Sequence, residues 1–336
     1  MTDDITTATD RQEDRDTGLS RLLTGRAHVD FIGRSRQFGL ITLALILISL
    51  AALGIRGLNF SIEFTGGSSF VEEGATQEFS VDDIEAALTD LGVTGAIVQV
   101  VDDGRGAQVS TPAISEISGV DDLEVAAAIE ELTGGEVSVS TIGPRWGDAV
   151  TEQAVRGLIV FLVLVIAYIT FRFEWRMAVS AVLTLLHDVI ITVGLYALIG
   201  FTVSPSTVIA ILTILGYSLY DTVVVFDRIT EDSDKLTSVS TTSYGQLANG
   251  ALNNVLVRSL STSITSVLPV ASLLFVGANL LGAATLSDLA LALFIGMTVG
   301  TYSSIFIATP LLVWLKEKDP KFAELKERAE RGGAAA

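Results

Sequence analysis

GYSLYDTVVVFDRI, residues 216–229, decides how the chain is read. It closes an apolar run over 205–226, and about 20 such residues are enough to cross roughly 30 Å of hydrocarbon. Asp221 therefore lies inside the run, six residues before its Asp227-Arg228 end, or roughly 9 Å at helical rise. A carboxylate at that depth is expensive unless it is paired, neutralised or directed at a hydrated path.

Working outward, five more runs have the same character: 38–55, 153–171, 177–199, 259–280 and 286–315. The fold class they predict is an α-helical integral membrane protein with six transmembrane helices in a 1 + 5 arrangement. The segment between helices 1 and 2 is a soluble insert. The first run follows a polar tail containing Arg21, Arg26, Arg34 and Arg36, too far from the start for a cleaved signal peptide, so it reads as a retained anchor.

Charge separates the same regions. The 336-residue chain is 49% hydrophobic yet carries a net charge of -18. Residues 56–148 hold only Arg56, Arg105 and Arg145 against eighteen acidic residues, so nearly all of the excess lies in the insert. Cysteine is absent, which excludes disulfides and thiolate chemistry. Arginines and lysines cluster before helix 1 (Arg34, Arg36), between helices 2 and 3 (Arg172, Arg176), between 4 and 5 (Arg228, Lys235, Arg258) and after 6 (Lys316, Lys318, Lys321). The connections near 200–204 and 281–285 carry no charge. Both termini are thus expected in the cytosol and the insert on the extracytoplasmic side of a cell membrane. The domain plan is a cytosolic tail (1–37), helix 1 (38–55), the acidic insert (56–148), a five-helix bundle (149–315) with a cytosolic loop at 227–258, and a charged cytosolic tail (316–336).

Within the insert, Gly66-Gly67 precedes a strand at 68–73 and a helix follows at 81–91. Strands at 96–101 and 107–111 flank an Asp102-Asp103-Gly104 turn, and a helix at 121–132 and a strand at 136–142 complete the domain. The order βαββαβ predicts an α+β ferredoxin-like domain.

Residues three or four apart share a helical face, so Tyr217 and Ser218 flank Asp221. The candidate cation is Arg258, which the topology places in the same half of the membrane and which heads a polar seam with Thr262 and Ser266. His187 and Asp188 interrupt the third helix at mid-depth but, as neighbours, point about 100° apart. Gly296, Gly300 and Ser304 repeat every four residues, a small-residue stripe suited to close helix packing. Each feature has a plainer reading: a permanent structural ion pair for Asp221 and Arg258, a satisfied interior pair for His187 and Asp188, an ordinary turn for Gly66-Gly67, and solvation for the acidic insert. No phosphate-binding glycine loop, nucleophile–base triad or metal cluster emerges. Neither enzyme activity nor a metal, cofactor or nucleic-acid partner is expected.

The motifs NFSIEFTGGSSF (59–70), GPRWGDAV (143–150), FRFEWRMAVSAVLTLLHDV (171–189), GYSLYDTVVVFDRI and GMTVGTYSSIFIATPL (296–311) together resemble the SecF family of Sec export subunits, over about residues 30–315. The resemblance implies a membrane architecture similar to resistance-nodulation-division transporters. It also implies the partners SecD, the SecYEG channel, often YajC, and unfolded preproteins, with the proton motive force promoting translocation. It assigns proton coupling to Asp221 and to Arg258, inside NNVLVRSLSTSITS (253–266), with protons as the coupling ion. Tyr217, Ser218, Tyr220, Thr262, Ser266, His187 and Asp188 are the candidate supporting polar residues. The chain departs from many relatives at Leu219-Tyr220, where Ile-Asn is usual, and at Glu63, where Asp is usual. Two alternatives stand beside this reading: half of a proton-driven small-molecule or lipid exporter of the same superfamily, and a non-conducting structural subunit.

Overall fold

The computed structural model describes residues 29–101, 106–114, 120–234, 236, 242–277 and 284–333. The Asp102-Asp103-Gly104 turn, Lys235, most of the 281–285 connection and the tail before Val29 lie outside them. Six helices are long and apolar enough to cross a membrane: Ser35–Arg56, Arg145–Arg172, Trp175–Ile199, Pro205–Ser233, Tyr244–Val276 and Leu286–Lys316.

In chain order, α1 (Ser35–Arg56) leads into a short strand β1 (Asn59–Phe60) and a single turn α2 (Ile62–Thr65). The insert then runs β2 (Gly67–Glu73), α3 (Val81–Asp90), β3 (Ile97–Val101), β4 (Gly106–Thr111), α4 (Asp122–Thr133) and β5 (Glu136–Ile142). Its four strands form one antiparallel sheet in the order β3-β4-β2-β5. Serine and aspartate start the two helices: Ser80 closes a capping box with Asp83, and Asp121 accepts from the Glu124 amide. Ile84 and Leu88 of α3 and Val125 and Ile129 of α4 bury against Phe70, Ala107 and Val109, the inward residues of β2 and β4. Their spacing of three to four on the helices and two on β4 is what makes one face of each element apolar.

After the insert come α5 (Pro144–Arg172), α6 (Trp175–Ile199), β6 (Thr202–Val203), α7 (Pro205–Ser233), α8 (Tyr244–Ser272), α9 (Ala284–Ser303), α10 (Thr309–Lys316) and α11 (Pro320–Gly333). A π-helical turn, Ser304–Ala308, joins α9 to α10. The connection expected as a loop over 227–258 is mostly helix, because α7 runs on to Ser233 and α8 begins at Tyr244. A Ser243–Gln246 capping box starts α8, and Tyr244, Ala248, Ala251, Leu252 and Val255 make a buried stripe at helical spacing. Mean hydropathy is too low there to mark a membrane segment, but periodicity and packing are sufficient for a helix.

Three registers fix the bundle. Ala added as a Cβ at Gly194 of α6 would lie 2.1 Å from Ser49 Cβ, so α1 and α6 touch nearly backbone to backbone. At the insert end their continuations, β1 and β6, pair in parallel, so the two helices run the same way. In α7 and α9, Gly296 opposes Ile214, Gly300 opposes Ser218, and Ser304 opposes Thr222, each pair 82 positions apart. The stripe Gly296, Gly300, Ser304 is therefore a packing surface, and it packs on α7. Between α7 and α8, Tyr217 meets Ser263 and Asp221 meets Ser259, an antiparallel register.

Candidate functional site

The antiparallel register brings the polar residues of α7 to three different neighbours. Asp221 is buried and accepts a hydrogen bond at Oδ1 from Ser259 Oγ (2.7 Å). Its Oδ2 is buried and meets no donor among the described residues. One turn earlier Tyr217 donates to Ser263 Oγ (3.3 Å), which also accepts from Thr301 on α9 (3.0 Å). Ser218, on the adjacent face, donates to Asp188 Oδ2 on α6 (2.6 Å). Thr222 donates to Ser304 Oγ (3.3 Å), and Ser304 donates to the carbonyls of Ser218 and Gly300. α7 is the hub because its small polar residues fall on more than one face of the helix.

Arg258 does not pair with Asp221. It lies at the same depth, one residue from Ser259, and one residue is about 100° of rotation. Ser259 faces α7 while Arg258 is exposed on the outer surface of the bundle. Depth was readable from spacing; rotation was not, because Arg258-Thr262-Ser266 and Ser259-Ser263 are parallel stripes one position apart. The face that meets α7 is the second, so Ser259 and Ser263 are the residues sequence reasoning missed, and Thr262 and Ser266 are only half-buried beside it. Tyr220 is 62% exposed and Leu219 is buried. The departure from Ile-Asn thus places a phenol on the outer surface rather than against the carboxylate.

His187 and Asp188, adjacent on the helix and about 100° apart around it, form the interior pair that was their plainer reading. His187 Nδ1 lies 3.0 Å from Asp188 Oδ1, and both side chains are almost wholly buried, 4% and 1% exposed. At the end of the bundle away from the insert the charges are paired: Arg172 with Asp227, Arg176 with Asp319, and the buried Lys316 with the exposed Glu174. No group of three metal-ligating side chains is present among the described residues.

Gly66 and Gly67 form the joint between insert and bundle rather than an ordinary turn. Both have positive φ, +73° and +137°, and a Cβ on Gly67 would sit 2.1 Å from the Thr111 carbonyl oxygen. Gly147, near the start of α5, approaches the Phe64 carbonyl so closely that a Cβ would lie 2.4 Å from it. The joint is completed by β1 on β6, by Ser61 N–H on the Val203 carbonyl (3.0 Å) and by Gln99 of β3 donating to Thr202 Oγ1 (2.6 Å).

This glycine joint and the polar bundle are where the comparisons with known proteins fall. The family model for the C-terminal region of SecD/SecF protein export membrane proteins matches residues 125–318, and the SecD/SecF GG motif matches residues 51–71. The chain belongs to the SecD/SecF family. It is 41% identical to protein translocase subunit SecF of Streptomyces coelicolor over 325 residues, covering 94% of this chain and 85% of that one. Identity to Mycobacterium tuberculosis SecF (strain H37Rv) is 40%, with 94% and 73% covered. The crystal structure of Thermus thermophilus SecDF, titled a translocon-associated membrane protein, superposes with a TM-score of 0.76 at 33% identity, over 87% of this chain and 39% of that longer chain. Within this SecF-like chain the family motif GG is thus the insert–bundle joint, and Asp221 lies in the matched C-terminal region.

Proposed function

We propose that this chain is the SecF-type subunit of a protein export complex that works with SecD and uses the proton motive force to promote passage of unfolded preproteins through SecYEG, with YajC an associated subunit. The export role follows from membership of the SecF branch. The SecD partner is supported by the T. thermophilus SecDF chain, of which this chain matches 39%, leaving room for a SecD half in the same polypeptide. The arrangement we infer is one helix, a ferredoxin-like insert and five further helices, supported by the strand order β3-β4-β2-β5 and by the place of the insert after α1. Both termini are on the cytosolic side and the insert is extracytoplasmic, in keeping with the arginine and lysine distribution. No catalytic residue or cofactor is invoked; the coupling ion is the proton.

The observation that carries the proton role is the buried Asp221 carboxylate, with one oxygen held by Ser259 and the other without a donor. A fully ionised dry carboxylate is costly, so protonation and deprotonation there favour different packings of α7. One proton crossing 100 mV releases about 2.3 kcal/mol, enough to move a two-state equilibrium well over tenfold. Arg258 acts on Asp221 when α8 turns or a hydrated gap opens between them. Asp221→Asn keeps the shape and removes the charge. Expected are an intact complex with SecD and loss of proton-driven export in inverted vesicles. Undiminished export would overturn the proton role, and loss of assembly would make Asp221 a structural residue.

A further inference from the structure

Asp221 is not the bundle's most buried carboxylate. Asp188 is 1% exposed, accepts at Oδ2 from Ser218 Oγ, and shares a hydrogen bond at Oδ1 with His187 Nδ1 across 3.0 Å. Whichever of the two atoms carries it, one proton lies between Asp188 Oδ1 and His187 Nδ1. The remaining ring nitrogen, Nε2, is buried and has no partner among the described residues. With Nε2 bare, the unit carries a net negative charge in a buried site; with Nε2 protonated, it is neutral. One atom therefore decides the charge of the unit.

The charged and titratable surroundings are sparse. The interior of α1 carries no ionisable residue, and α9 and α10 offer Tyr302 at mid-length and Asp288 and Lys316 at their ends. α5 offers Tyr168 and Arg172 towards one end, with Arg172 paired to Asp227. α7 offers Tyr217, Tyr220 and Asp221. Asp221 is three residues from Ser218, the residue that holds Asp188, so the two carboxylates share a neighbourhood on α7. Ser218 also packs on Gly300, and its carbonyl accepts from Ser304. A change at Asp188 thus reaches the α7–α9 contact directly.

We propose that His187 and Asp188 form a second proton-carrying site of the bundle, which loads and unloads at His187 Nε2 and is electrostatically coupled through α7 to Asp221. Loading adds one proton to the Nε2 lone pair and gives an imidazolium beside the carboxylate; unloading returns that proton. The coupling rests on Asp221 being the proton-coupling residue, whereas the exchange at Nε2 stands by itself.

The chain has only two histidines, His28 and His187. In the full-length His28→Gln chain, labelled with nitrogen-15 histidine and reconstituted in lipid vesicles, every imidazole signal in solid-state NMR is His187. Across a pH titration, Nε2 is expected to pass from protonated to bare. Asp221→Asn removes a nearby anion, which disfavours the imidazolium, so the transition moves to lower pH. Asp188→Asn moves it further the same way, and where that variant does not insert, Ser218→Ala reports on the same carboxylate. An imidazole whose Nε2 state is constant across the range, or a transition indifferent to these substitutions, overturns the proposal. A transition that depends on Asp188 together with normal export by Asp221→Asn would refute the function proposed above while leaving the His187–Asp188 exchange standing.

Discussion

Gly296→Ala tests the α7–α9 ladder most directly. A methyl on Gly296 would lie 2.2, 2.8 and 2.9 Å from Cδ1, Cγ1 and Cγ2 of Ile214, where carbon atoms prefer about 3.5–4.0 Å. Cδ1 can swing away, but Cγ1 and Cγ2 move only with χ1, which a helix restricts for a β-branched residue, so the helices must part by several tenths of an ångström. Overpacking of this kind costs about 1–3 kcal/mol. The helix-propensity gain of Ala over Gly, up to about 1 kcal/mol, offsets part of it. The net expectation is a loss of about 1–2 kcal/mol, and Gly157→Ala and Gly216→Ala, whose added methyls meet nothing within 4 Å, are neutral or slightly stabilising. Ile214→Ala removes the three clashing atoms. In that background the new methyl fills part of the cavity, and Gly296→Ala becomes neutral or stabilising, a coupling of at least about 1 kcal/mol. Reversible unfolding in mixed detergent micelles, followed by tryptophan fluorescence, measures all four corners of the cycle. Equal costs of Gly296→Ala with Ile214 and with Ala at 214 would refute the ladder.

Two further outcomes follow from the surfaces and the joint. Gly67→Ala places a methyl against the Thr111 carbonyl at a φ of +137°, so the β2–β4 ladder loosens by roughly 1–3 kcal/mol; amide exchange over 67–73 and 106–111 accelerates, and much less so in Gly143→Ala, whose φ of -70° suits alanine and whose added methyl meets nothing within 4 Å. Asp319, outside the spans, is held below its ordinary 3.8 chiefly by its hydrogen bond with Arg176, helped by the Lys321 amide. A lowered carboxylate stabilises the fold above its unfolded value and loses that contribution as pH falls through the folded one. Acidification below about pH 4 is therefore expected to loosen α11, seen as faster amide exchange over 320–333, and Asp319→Asn weakens that pH dependence.

The order of strands and helices in the insert was legible because period-two and period-3.6 patterns alternate cleanly between glycine and aspartate turns, and each element lies within a residue or so of its expected limits. The membrane helices were legible as apolar length. What blurred was α8, whose polar first half is held as a helix by a one-sided buried stripe rather than by hydropathy. The candidate site was legible as depth along the helices, and opaque as rotation about them. Asp221 and Arg258 do lie level, yet Ser259 makes the contact, whereas His187 and Asp188 meet as the interior pair that was their plainer reading.

Taken by itself, the sequence determined that the chain enters a membrane, where its acidic insert begins, and that Asp221 and His187-Asp188 lie within apolar helices. These depend on composition and one-dimensional spacing, which translate directly into depth at a fixed rise per residue. The tertiary structure decided which face of each helix meets which neighbour. Azimuth is set by close packing across Gly194, Gly296 and Gly300, where a rotation of one residue, about 100°, exchanges an arginine for a serine opposite the same carboxylate. The glycine pair 66–67 has the same lesson: the sequence marks a turn, and only the opposing Thr111 carbonyl and the neighbouring Gly147 make it the joint between insert and bundle.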